Sequence, residues 1–176
     1  MGHTPPWTQV PVSNIRFKGV FDYDGLMQLV YDWMDKRRFK IVEKVYKHKG
    51  SATGWEFERE LEGSRKVTDY IRYVITVAIH TWDTKEVEVV KDGKKMKLNK
   101  GRLEIKMNIG IELDYAGRWE SSEAMEKVRN FFHNYILKKE IAFKHADPLY
   151  YGMLALHTSI KKFLGMEGAT SAYPAP

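Results

Sequence analysis

Between Arg102 and Tyr115 the chain reads RLEIKMNIGIELDY, with Leu103, Ile105, Met107, Ile109, Ile111, Leu113 and Tyr115 at every second position. Arg102, Glu104, Lys106, Asn108, Gly110, Glu112 and Asp114 fill the gaps. Side chains alternate across a strand, so this spacing predicts one long strand with an apolar face and a polar face. A helix would scatter the same residues around its circumference. Burying that apolar row is worth on the order of 10–20 kcal/mol gross. Ordering the backbone opposes it by about 1–2 kcal/mol per residue. The strand therefore needs a sheet around it and a layer over its apolar face.

The rest of the chain supplies both. Residues 14–20 alternate weakly and predict a short first strand. Asp22 or Asp24 then caps a helix over about 24–37, where Leu26, Leu29, Val30, Trp33 and Met34 recur at helical spacing. Ile41–His48 and Trp55–Leu61 predict strands joined by the turn from Lys49 to Gly54, and Gly63-Ser64 reads as the next turn. In the third strand Glu56, Glu58, Glu60 and Glu62 share one face. The stretch from Val67 to about Trp82 is apolar on both faces near its middle, so helices or a partner chain are expected on both sides. Glu86–Val90 and Lys94–Leu98 flank Asp92-Gly93, a two-residue hairpin signal, and Asn99-Lys100-Gly101 reads as a turn into the long strand. A helix capped by Ser121 or Ser122 follows, and Asp147-Pro148 opens a last helix that runs to about Leu164 and is closed by Gly165. There Met153, Leu156, Ile160 and Phe163 are expected to face inward.

The expected fold class is thus α+β: a curved antiparallel sheet with helices packed on it and a long C-terminal helical segment. Residues 1–165 read as a single domain and 166–176 as a disordered tail.

The order of strand, helix, antiparallel meander and C-terminal helix resembles the helix-grip arrangement of the START and Bet v 1-like superfamily. The resemblance is carried by the turn from Lys49 to Gly54 and by the strand Arg102–Tyr115 running into the helix after Ser122. It covers about residues 14–145 in element order and includes no sequence motif. It implies a sheet wrapped around a helix with a cavity for an apolar ligand between them. The chain departs from the pattern in having one helix after the first strand where two short ones are usual, and in its extra helix at 148–164.

Composition narrows the chemistry. The 176 residues include no Cys, which excludes disulfides, thiolate metal sites and thiol nucleophiles. No apolar run reaches the length of a membrane span, and MGHTPPW lacks a signal pattern, so a cytoplasmic protein is expected. The formal net charge of +6 would steer the chain toward nucleic acid or anionic lipid, although Lys-rich proteins without such partners also carry it.

Three functional readings follow. In the first, a small apolar or amphipathic ligand sits between the sheet and a C-terminal helix, lined by Tyr73, Met107, Ile109, Tyr115, Trp119, Phe132 and Tyr135. The plainer account of these aromatics is core packing. In the second, Lys91, Lys94, Lys95, Lys97, Lys100 and Arg102 form a basic finger for nucleic acid or an anionic surface. The plainer account is a solvated hairpin tip whose lysines block edge pairing. No aromatic residue sits among those lysines, so base stacking is not expected there. In the third, the doubly apolar strand supports self-association into a homo-oligomer.

The glutamate row is expected to pair across the sheet with residues such as Lys44, Arg65 or Arg72. The six histidines show no i, i+4 pair, and no nucleophile stands beside a base. No cofactor, no metal site and no catalytic residue are expected.

Overall fold

The computed structural model describes residues 9–91, 94–116 and 142–166, with side chains from Ser13 onward except those of Ser51, Lys91, Lys94 and Ala142. It is an α+β structure built from β1 (Gln9–Phe21), α1 (Tyr23–Lys36), β2 (Lys40–Ser51), β3 (Gly54–Lys66), β4 (Ile71–Lys91), β5 (Lys94–Leu113), a π-helical turn (Ala142–Ala146) and α2 (Asp147–Phe163). The strands form one open antiparallel sheet in the order β1-β5-β4-β3-β2. The helix expected from Ser121, the tail beyond Met166, and Trp119, Phe132 and Tyr135 lie outside the described residues. No described helix is long and apolar enough to cross a membrane.

The alternation in the long strand decides which face is covered. Leu103, Ile105, Met107, Ile109, Ile111 and Leu113 of β5 are buried, as are Ile71, Tyr73, Ile75, Val77 and Ile79 of β4. Both helices lie on this face. Asp22 starts α1 by accepting a hydrogen bond from the Gly25 amide at 2.9 Å, and Leu26, Met27, Val30 and Met34 point into the core. Fully burying such a side chain is worth about 1.5–3 kcal/mol. Gly63 admits the helix, because a Cβ there would come 3.0 Å from Ile75 and 3.3 Å from Met34 Sδ. In α2, Leu149, Met153, Leu156 and Ile160 are buried, while Phe163 is exposed and Leu164 takes the inward place at the helix end. Gly165, at φ 65, closes the helix as expected.

Two expected turns are strand. Residues 71–82 and 86–90 form one strand, β4, interrupted by a bulge between Trp82 and Lys85. Residues 94–98 and 102–113 likewise form one strand, β5, which runs straight through Asn99, Lys100 and Gly101. Gly101 is needed there for closeness, not for turning: a Cβ would lie 2.8 Å from the Trp82 carbonyl oxygen. Gly63-Ser64 is also strand, and the bend falls at residues 67–70. The meander after α1 therefore has four strands, β2 to β5.

Candidate functional site: a basic groove at the root of a β-ribbon

β1 stops pairing at Phe21, opposite Asn99, and β3 begins pairing with β4 at Trp55, opposite Thr84. Beyond those points β4 and β5 pair only with each other, so Val87–Lys91 and Lys94–Leu98 project from the sheet as a two-stranded ribbon. Lys91 faces Lys94 in the register, which leaves two residues for the connection, as the Asp92-Gly93 signal predicts.

At the root of the ribbon the register sets like charges against each other. Lys18 lies opposite Arg102, and Arg102 opposite Trp82. One step along the same face, Val20 lies opposite Lys100, and Lys100 opposite Lys85. Directly opposed like charges destabilise a sheet by about 0.2–1 kcal/mol per pair. These four cations line an open groove of about 750 Å³ with Asp83 as its single acid. A second concavity of about 430 Å³ adjoins it, sharing Lys18 and Arg102 and adding Arg16, Trp82 and Glu104.

Asp83 organises the groove. It sits in the bulge at φ 54, a left-handed conformation that Asp tolerates better than most residues. Its carboxylate accepts hydrogen bonds from Thr53 Oγ1 at 2.5 Å and from Arg102 Nε at 2.9 Å. Those two bonds hold its pKa below the usual carboxylate range. The β2–β3 turn reaches this point because Gly54 has no side chain; a Cβ would stand 2.8 Å from the Thr84 carbonyl oxygen. Among the described residues, Arg102 is the one groove cation in ion-pair contact with a carboxylate.

Elsewhere on the same sheet face several charges are matched. Glu62 pairs with Lys44 at 3.4 Å, and Glu58 with Lys47 at 3.0 Å, as the cross-strand reading of the glutamate row expects. Arg65 goes instead to the Arg37 carbonyl at 2.8 Å, and Arg72 to Glu112 at 2.6 Å. Glu104 accepts from Asn14 at 3.0 Å and from Arg16 at 2.8 Å, which lowers its pKa to about 2. In a polar hollow of about 350 Å³ beside Asn108, Arg72 and Glu112 pair with each other, and Glu62 pairs with Lys44.

The structure divides the lysines of the expected finger. Lys100 and Arg102 lie in the groove. Lys95 and Lys97 occupy the opposite face of the ribbon, where Lys97 meets Glu86 at 2.8 Å and lies opposite Glu88. Lys91 and Lys94 pair at its end. The expectation that no aromatic accompanies these cations is corrected by the register. Trp82 stands opposite Arg102, with the guanidinium 5.8 Å from its ring centroid, and stacks on His80 at 3.9 Å. Lys18, Lys85 and Trp82 are the groove residues that sequence reasoning missed; a local sign is the pair of glycines, Gly19 and Gly101, that marks the root of the ribbon.

The expected apolar-ligand residues are also separated. Tyr73, Met107 and Ile109 are buried on the helix face. Tyr73 meets His145 Nδ1 at 2.8 Å, and its burial raises its pKa. Tyr115 departs from their row. β5 ends at Leu113, Asp114 takes φ 51, and Tyr115 turns to lie 5.3 Å from the Arg72 guanidinium and 5.4 Å from Lys66 Nζ. Its hydroxyl donates to the Thr68 carbonyl at 3.2 Å.

Among the described residues, no group of three or more His, Asp or Glu side chains is placed to hold a metal ion. Of the described histidines, His48 stacks on Phe57 at 4.4 Å, His80 meets Glu56 at 2.6 Å and His145 meets the Tyr73 hydroxyl at 2.8 Å. No protein-family model and no curated protein matches the chain, so the groove is read from its own geometry.

Proposed function

We propose that this is a non-enzymatic binding protein that takes an anionic, phosphate-bearing partner in the groove at the root of the ribbon. The observation that carries the reading is the opposition of Lys18 to Arg102 and of Lys85 to Lys100 around one concavity with a single acid. Such an arrangement costs stability in the free protein and is relieved when phosphate oxygens enter among the cations. Polyphosphate is the probe of choice, followed by isothermal titration. Four phosphate contacts predict an affinity that falls roughly 100-fold between about 50 and about 200 mM salt. The charge-reversed variant Lys85→Glu/Lys100→Glu should not bind. Salt-independent binding, or full binding by that variant, would sink the reading.

A second reading is the helix-grip one, in which a small apolar ligand lies between the sheet and a C-terminal helix near Tyr73, Met107 and Ile109. It is favoured by the Tyr73–His145 contact, which with the Arg65 guanidinium 5.2 Å from the Tyr73 ring sets a few polar groups beside the apolar core, as suits a pocket that orients a ligand. Native mass spectrometry of gently purified protein tests it: a co-purifying small molecule lost in Met107→Trp supports it, and a bare chain mass counts against it.

A further inference from the structure

The polarity of β5 changes sides at Gly101. Beyond it Leu103, Ile105 and Met107 face the helices. Before it, the apolar residues Leu98 and Met96 fall on the other face, in phase with Lys100 and Arg102. β4 makes the same exchange through its bulge, so Val87 lies opposite Leu98 and Val89 opposite Met96. Val20, opposite Lys100 on β1, extends the strip toward the sheet. Val20 and Met96 are each 42% exposed. The reverse face of the ribbon, nearer the helices, carries Glu86, Glu88, Lys95, Lys97 and Asn99, with exposed Val90 as its one aliphatic residue. The ribbon is therefore amphipathic with its aliphatic side turned away from the core, and that side runs directly into the basic groove, of which Val87 is a wall.

We infer that this face docks on the surface of an anionic lipid bilayer. The inference rests on the anion-binding reading of the groove and names its partner. Cations alone suffice for any phosphate, but the aliphatic strip selects among phosphate-bearing partners. The Val, Leu and Met side chains of the strip have no π-face on which a base could stack, although Trp82 beside Arg102 has one. At a bilayer they leave water for the boundary between headgroups and acyl chains, while lysines beside them meet anionic headgroups. Trp82, on the same face beside Arg102, is of the residue type that settles at headgroup level. Charge complementarity and the side on which the strip lies thus favour one occupant.

Flotation with phosphatidylcholine vesicles, with and without an equal part of phosphatidylserine, tests the inference on the full chain. The protein should float with the anionic vesicles and not with phosphatidylcholine alone. Lys85→Gln and Lys100→Gln should each reduce partitioning about five-fold, the equivalent of about 1 kcal/mol per charge near the surface. Met96→Ser/Leu98→Ser should lose vesicle binding by about ten-fold or more while keeping its polyphosphate affinity. Far-UV circular dichroism and a thermal melt check that each variant folds, and Met96→Ser alone should show a smaller loss if the double variant does not. Retained polyphosphate binding without flotation overturns the membrane inference and leaves the anion reading intact. Loss of both overturns both. Flotation unchanged in the serine variants, or a nucleic-acid mobility shift that those variants abolish, also overturns it, the latter in favour of a nucleic-acid partner.

Discussion

Trp82 and Arg102 face each other across β4 and β5, and the guanidinium that lies 5.8 Å from the indole centroid also binds the Asp83 carboxylate through Nε at 2.9 Å. One arginine thus ties an aromatic ring to the only acid in a basic groove. Asp83 restrains the groove by neutralising part of its field.

Asp83→Asn should therefore strengthen polyanion binding several-fold. Asn tolerates the left-handed backbone at this position and can still accept from Thr53, so the bulge survives while the negative charge goes. Titration with polyphosphate at fixed low salt measures it. Weaker binding would mean that Asp83 matters chiefly as the anchor that aims Arg102.

Gly101→Ala should destabilise the protein by about 1–3 kcal/mol, the usual effect of overpacking. The new Cβ meets main-chain atoms, Trp82 O at 2.8 Å and Thr84 Cα at 3.0 Å, and these cannot move without opening the bulge. Urea unfolding reads the change. Near-wild-type stability would show that the strands separate there without loss.

The Tyr23 hydroxyl is buried without a hydrogen-bond partner among the described residues, and burial pushes its pKa up to about 12. Its ionised form is favoured in the unfolded chain, where the group titrates near 10. The unfolded state then binds fewer protons between those values, so stability falls as pH rises from about 10 toward about 12. Tyr23→Phe should remove this alkaline loss. At neutral pH it should be neutral or stabilising, since a buried unmade hydrogen bond costs about 1–3 kcal/mol. Melting temperatures across the alkaline range test both parts, and a Phe variant that is less stable at pH 7 would contradict them.

Glu104 gives the opposite limb. Hydrogen bonds from Asn14 and Arg16 lower its pKa from 4.5 to about 2. The stabilisation it brings is complete above the higher value and fades as pH falls toward the lower one. Glu104→Gln should loosen the β1–β5 pairing at neutral pH and flatten the acid limb between those two values. Hydrogen exchange at β1 amides, compared with β3 amides, locates the effect. An equal change in both strands would point to a global cause.

The sequence carried the local periods well. The alternation of β5, the apolar stripes of α1 and α2, the caps at Asp22 and Gly165 and the glutamate row are properties of neighbouring residues, and each is visible in a short window. The groove is not local. Lys18, Trp82, Lys85 and Arg102 come together through cross-strand registers that no window of the chain contains. One sign was present in the sequence. Met96 and Leu98 alternate out of phase with Leu103 and Ile105, a phase change that reads equally as a turn. The bulge at Asp83 and the glycine at position 101 make it an exchange of faces within continuous strands. Tyr115 fails to join its row for a comparable reason: Asp114 adopts a left-handed conformation that alternation cannot foretell.

The strand order has a consequence for how the chain folds. β1 and β2 are the two opposite edges of the sheet, although only α1 separates them in sequence. β1 pairs with β5 alone, through contacts such as Asn14 to Glu104 that span 90 residues. The meander from β2 to β5 can zip by successive short hairpins, whereas the first strand has to wait for the last. Docking of β1 is therefore the step with the largest loop-closure entropy, and it sets this fold among the slower topologies. During synthesis the first strand leaves the ribosome with its backbone donors and acceptors unclaimed until β5 follows. A kinetic phase sensitive to Ile15→Val, and absent from probes in β2 and β3, would be its signature.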